Sequence, residues 1–233
     1  MAGDAFTLSA LPYPVVDAHP VLDVLRERAE GGSVPGARRD PHRVALVIEG
    51  GGMRGVVSAG MTAALERLGL TACFDLVVGA SAGAINGAAL IAGVAREGAS
   101  TYHGPLASRS FVNPARVLRG RPVIDVNFVL DYASDGLDAS RHDRVVASPI
   151  ALHCVAVNVE TAECVTFSGM RTKQQLWDAL LASSRMPWAG GAPVEIDGRR
   201  VGARQAARRQ CAVDVPVIVE ELELEHAPTS RRL

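Results

Sequence analysis

Val44-Ala45-Leu46-Val47-Ile48-Glu49-Gly50-Gly51-Gly52-Met53-Arg54-Gly55, and then Phe74-Asp75-Leu76-Val77-Val78-Gly79-Ala80-Ser81-Ala82-Gly83-Ala84, decide the fold of this 233-residue chain. Each stretch is a short aliphatic run that breaks at glycine and gives way to an alanine-rich segment with helical spacing. A continuous apolar run of strand length suits a parallel strand buried on both faces. The predicted strands are 44–48 and 74–78. The predicted helices are 56–68, ended by Gly69, and 84–95. Strand, helix, strand, helix within about fifty residues makes a βαβα unit and hence a parallel sheet.

Outward from this unit the pattern continues. Residues 1–42 read as a leader broken by Pro12, Pro14, Pro20, Pro35 and Gly31-Gly32, with one short charged helix at 21–30. Residues 100–121 are a connection, and 123–132 is apolar but open between helix and strand. A strand is expected at 151–158, paired with 163–167, then a helix at 173–183. A hairpin about Asp197-Gly198, a strong turn pair, joins 194–196 to 199–201. The texture changes beyond Val201: residues 199–211 hold five arginines and no acid. That run reads as a solvated face, with contact to an anionic membrane as the functional alternative. The expected organisation is thus a leader at 1–42, one domain at 43–201 and a divergent or truncated tail at 202–233.

Composition narrows the classes. The chain is long enough for one domain with a full core. Hydrophobic residues are 48% and aromatics only 4%, so that core is aliphatic and alanine-rich. A net charge of −1 gives no reason to expect a nucleic-acid partner. Cys73, Cys154, Cys164 and Cys211 lack metal-ligand spacing and are expected as buried free thiols. There is no secretion signal pattern and no apolar run of spanning length, so a cytoplasmic location is expected, with peripheral membrane contact left open.

The chemistry rests on the two glycine turns. In Gly79-x-Ser81-x-Gly83 the small neighbours let the chain turn sharply, lifting a serine hydroxyl above the carboxyl end of the sheet. The helix beginning there favours developing negative charge. The loop Gly50-x-Gly52-x-x-Gly55 has two functional readings. One is a dinucleotide site, for which Asp75 stands at a tempting distance. Asp75, however, precedes its strand, whereas a ribose-binding acid belongs at the carboxyl end, which Ser81 occupies. The other reading, an oxyanion hole built from the amides of Gly51, Gly52 and Met53, fits that order better. Arg54 is a candidate for holding an anionic head group or stabilising the loop, with plain surface exposure as the alternative.

Both blocks, in order, spacing and strand–helix context, resemble the patatin-like phospholipase family. Weaker similarity continues through Pro122–Asp125, Val157–Glu163 and Ala182-Ser183-Ser184-Arg185-Met186-Pro187. The resemblance implies a three-layer α/β/α fold with a mostly parallel central sheet. It also implies a serine–aspartate dyad that hydrolyses fatty acyl esters of phospholipids or other lipids, with no metal or organic cofactor. Ser81 is then the nucleophile, Gly50 to Gly55 the oxyanion loop, and Gly79 and Gly83 the flanks of the nucleophile turn. The partner is a lipid or acyl-ester substrate. None of His103, His142, His153 or His226 sits in a marked loop where a third catalytic member would be needed.

The chain departs from the family pattern at the aspartate. Such proteins carry it in an Asp-Gly-Gly or Asp-Gly-Ala turn downstream of the Ala-Ser-x-x-x-Pro block, and here only Asp197-Gly198-Arg199 is on offer. At the alternative place, residues 202–206, the chain reads Gly-Ala-Arg-Gln-Ala. Asp197 is the candidate base, with Asp214 further along. A chain with neither in place keeps the serine turn but is catalytically impaired and acts by binding or regulation.

Overall fold

The computed structural model describes residues 20–135, 140–186 and 189–203. Its elements are α1 (Pro20–Glu30), β1 (Ala45–Ile48), α2 (Val56–Arg67), β2 (Leu76–Ala80), α3 (Ala82–Ile91), α4 (Ala95–Thr101), α5 (Val126–Asp135), α6 (Ser140–Val146), β3 (Ala151–Asn158), β4 (Cys164–Phe167), α7 (Lys173–Ser184), β5 (Val194–Ile196) and β6 (Arg199–Gly202). A six-stranded mixed sheet runs β1-β2-β3-β6-β5, with β4 on β3. The strands that carry the glycine turns are parallel: Ala45 faces Leu76, and Leu76 faces Ala151. β4 and β6 both join β3 antiparallel. The architecture is the expected three-layer α/β/α fold.

The helix α3 explains the alanine-rich composition. Apart from Asn86 it is apolar all round, as expected of a helix enclosed by protein. Its glycines set its height above the sheet. A Cβ on Gly83 would run into the Ile48 and Glu49 carbonyls, and one on Gly87 would lie 2.7 Å from Val77 Cγ1. One face of the sheet, through Ile48, Val77, Leu152 and Cys154, packs with α3, α5, α6 and α7 into the main core. Leu76, Val78, Val155 and Val157 are buried on the opposite face.

Four expectations shift. Val47 is exposed, so β1 is not buried on both faces; it is an edge strand. The second strand begins two residues later than predicted, because Phe74 and Asp75 serve another purpose. The predicted helix 84–95 is two helices: Gly93, at a φ of 68°, ends α3 in the left-handed conformation and α4 starts anew. The ambiguous segment at 123–132 is helical from Val126. Cys73 and Cys154 are buried free thiols, but Cys164 is disulfide-bonded, which corrects the expectation for that residue. Cys211, Asp214, His226 and the arginines from 204 onward lie outside the described residues.

The purpose served by Asp75 is a buried ionic clamp at the amino end of the sheet. Arg28 of α1, only 2% exposed, donates to Asp40 at 2.7 and 3.0 Å, to Asp75 at 2.8 Å, and to the Cys73 and His42 carbonyls. Arg38 donates to the other Asp75 oxygen at 2.6 Å and to the Ala72, Phe74 and Ser33 carbonyls. The Val44 amide completes the set on Asp75 at 2.7 Å. Residues 28–44 are thereby tied to the start of β2. A carboxylate spent in this way, at the edge opposite Ser81, cannot hold a ribose.

No helix among the described residues is long and apolar enough to cross a membrane.

Candidate active site

Ser81 sits between β2 and α3 at a φ of 54° and a ψ of −123°, backbone angles that serine seldom adopts. The strain is held by close packing on both sides. A Cβ on Gly79 would lie 2.5 Å from the Ala84 backbone, and Gly83 presses on the β1 carbonyls. Any side chain at either place pushes α3 off the sheet, which is why both flanks are glycine.

A second device fixes the turn from below. The Ser81 amide donates to Ser183 Oγ at 2.7 Å, and the Ser183 hydroxyl donates to the Val155 carbonyl at 2.6 Å. The end of α7 is thus bolted through one hydroxyl to the serine turn and to β3. Replacing Ser183 with alanine leaves a buried amide and a buried carbonyl unpaired. The expected loss is about 1–3 kcal/mol of stability, with slower reaction of Ser81 toward an acylating probe. Denaturant titration together with labelling rates checks it; unchanged values for both would remove this role.

The glycine loop lies directly over α3. Gly52, at a φ of 57°, opens a 3₁₀ turn ending at Gly55, whose first amides have no partner inside the turn. The Gly55 carbonyl accepts from Asn86 Nδ2 at 2.9 Å and from Ser58 Oγ at 3.0 Å, and the Tyr102 hydroxyl donates to Asn86 Oδ1 at 3.2 Å. A Cβ on Gly55 would come within 2.7 Å of both Ala82 Cβ and the Tyr102 hydroxyl. This contact seats the loop on the first turn of the helix that Ser81 starts. Sequence reasoning missed Asn86 and Tyr102, since a single asparagine inside an alanine helix carries no motif. Met53 and Arg54 are exposed.

Ser81, Gly52 and Met53 line one cavity of about 170 Å³. Ser81 is only 5% exposed, so a reactant reaches it through this cavity. The cavity follows one face of α3 through Ala82, Ile85, Ala89 and Ala92. From Ala82 to Ala92 that is about 15 Å at 1.5 Å per residue. Its walls are mostly aliphatic and aromatic, including Phe111, Leu130 and Leu180, with Asn86, Thr101, Arg141 and His142 among the polar members. Ser184, beside the bolt, also lines it, and its buried hydroxyl has no hydrogen-bond partner among the described residues.

Other reactive groups are set apart. Cys154 faces Gly79 across the sheet, but full burial pushes its thiol up to about 12. His142 lines the cavity and lies against Trp177, roughly 10 Å along α7 from Ser184. Burial, then the neighbouring Lys173, lowers its pKa. His153 faces Val78 in the middle of the sheet. Trp177 packs against the main core.

Asp197 is not brought to Ser81 by the hairpin. β6 runs antiparallel to β3 with Gly202 opposite Val157, and Ala203 donates to the Arg185 carbonyl at 2.7 Å. The end of the hairpin next to the site is therefore Gly202–Ala203. Asp197, exposed at a φ of 51° with Gly198 at 71°, forms the tip, five residues and roughly 15 Å back along the strand.

Known proteins place the chain. The sequence profile of the family described as Patatin-like phospholipase matches residues 46–210. "Uncharacterized protein YjjU" of Escherichia coli K12 is 32% identical over 163 residues, which are 68% of this chain and 44% of that protein. The chain thus spans less than half the length of this curated relative. Among solved structures, VipD from Legionella pneumophila aligns over 70% of this chain and 46% of its own, at 16% identity and a TM-score of 0.45. Human GIVD cytosolic phospholipase A2 with a fluorophosphonate inhibitor aligns over 64% and 26%, at 18% identity and a TM-score of 0.31.

Proposed function

Because this chain belongs to the patatin-like phospholipase family, we propose that it is a serine-dependent lipid acyl hydrolase with Ser81 as nucleophile. Ser81 Oγ attacks the acyl carbonyl, and the amides of Gly51–Met53 hold the resulting oxyanion. The ester C–O bond then breaks, the alcohol leaves with a proton, and water attacks the acyl-serine to release the acid. The observation that carries the reading is one cavity shared by Ser81, Gly52 and Met53 and continued by an apolar channel along α3. The channel's length of about 15 Å matches one leaflet of a hydrocarbon core about 30 Å thick, the depth of a single acyl chain. The Ser184 hydroxyl is a polar group available to the ester end of such a chain.

The proton on Ser81 needs an acceptor. In the dyad reading that acceptor is Asp197. The hairpin register favours a second reading, in which Asp197 is a structural turn and the site end, Gly202–Ala203, carries no carboxylate. The chain then retains nucleophile, oxyanion loop and acyl channel, and binds acyl chains with slow turnover.

A fluorophosphonate probe tests the nucleophile. Labelling of the folded chain at Ser81, mapped by mass spectrometry, is the expected result; an unlabelled Ser81 in folded protein rejects the hydrolase. Asp197→Asn tests the base. From the register, ester turnover stays within about twofold of the parent. A fall of about a hundredfold or more restores Asp197 as the general base.

A further inference from the structure

A turn beside the cavity bears the marks of a surface that meets lipid. Val112 and Ile124 both line the cavity and bridge to each other, and Asn113 donates to the Val123 carbonyl at 2.8 Å. Residues 114–122 therefore project as one excursion from the cavity wall. It stands on the Ser81 side of the domain: Ile124 donates to the Ala189 carbonyl, and Pro122 lies against Gly191, both in the segment that follows Ser184.

The excursion is built, not slack. Asn113 caps a 3₁₀ turn over Pro114–Arg119, which closes on Gly120 at a φ of 64°. Arg116 braces it on the Ser110 carbonyl at 2.9 Å and on Asp125 at 3.5 Å. What this frame presents is apolar. Val117 is 60% exposed and Leu118 89%. A second apolar rim, Met53, Val56, Val57 and Met61, starts at the cavity residue Met53 and is likewise exposed.

Charge decides the partner. Residues 105–124 contain Arg109, Arg116, Arg119 and Arg121 and no acid, in a chain whose net charge is −1. Asp125 offsets Arg116, while Arg109, Arg119 and Arg121 are exposed. We propose that residues 113–123 dock the protein on an anionic phospholipid bilayer, with Val117 and Leu118 entering the acyl region and the flanking arginines meeting lipid phosphates. Long arginine side chains reach the head groups while a leucine beside them is submerged. The surface rests on the proposed function only in giving an acyl chain a route to Ser81.

The test is co-sedimentation of the full chain with vesicles of phosphatidylcholine alone or mixed with phosphatidylglycerol. Binding to the mixed vesicles, weakened by salt, is expected. Arg119→Glu with Arg121→Glu lowers the partition about thirty-fold or more, and Leu118→Asp lowers it at least about tenfold. The melting temperature of each variant should match the parent, since these side chains are exposed. Equal binding by parent and variants overturns the proposal, as does absence of binding to mixed vesicles. Binding to heparin of equal strength, with no effect of Leu118→Asp, identifies a polyanion site and overturns insertion. Ser81 chemistry is read separately by the fluorophosphonate probe, so an inert serine with tip-dependent vesicle binding rejects the hydrolase and leaves the surface standing.

Discussion

Ser81→Ala abolishes ester turnover and fluorophosphonate labelling, with a fall of about four orders of magnitude or more where the parent activity allows it to be read. The size follows from the mechanism: without Oγ no acyl intermediate forms, and what remains is binding and the oxyanion amides. The fold survives the change. Serine and alanine share the Cβ that makes a φ of 54° costly, so the strain at this turn is unaltered. The Ser183 bolt uses the backbone amide of residue 81, not its hydroxyl, and also persists. Thermal midpoints of parent and variant should agree within a few degrees. Ester hydrolysis surviving in a purified Ser81→Ala chain would transfer the chemistry to another group.

Asp75→Ala is the variant expected to cost most in stability, about 3–5 kcal/mol, because it strands buried cations. Arg28 is almost wholly enclosed and shares its charge between Asp75 and Asp40, and Arg38 rests on the second Asp75 oxygen. Removing the carboxylate also leaves the Val44 amide without its acceptor. Urea titration measures the loss, and a change below about 1 kcal/mol would show that the clamp holds nothing.

The same clamp sets an acid limit. The hydrogen bond from Arg28 holds the Asp40 carboxyl down at about 2. Burial pushes Asp75 up, but the Val44 amide and the two guanidinium groups outweigh it and leave it lowered. Groups depressed on folding contribute stability that is whole above the ordinary carboxylate range and lost as pH falls through their folded values. Unfolding free energy should therefore fall between about pH 4 and pH 2, by ~2 kcal/mol from Asp40 alone. A chain carrying Asp40→Asn should show a shallower slope there.

Much of the site was legible because its signals are local. Gly79, Ser81 and Gly83 lie within five residues, and a serine forced past a sharp strand-to-helix turn needs small neighbours wherever the rest of the chain goes. The Gly50–Gly55 loop and the Asp197-Gly198 turn are of the same kind: backbone conformations that only certain residues tolerate. The parallel pairing of β1 and β2 also follows locally, since a single helix connects them.

What the sequence concealed depends on residues far apart along it. Ser183 touches Ser81 across 102 positions, and Arg28 reaches Asp75 across 47. Asn86, Tyr102 and Ser184 acquire meaning only when α3, α4, α5 and α7 are assembled around one cavity. Asp197 shows the reverse. Its turn chemistry was correctly read, yet the distance from that turn to the serine is set by which residue of β6 faces Val157. By itself, then, the sequence determined the strand–helix succession, the serine turn and the glycine loop, because sterics over a few residues admit no other arrangement. Only the tertiary structure decided what bolts that turn, what clamps α1, how far the cavity runs along α3 and where Asp197 ends up, because strand register and helix packing are settled by the whole core at once.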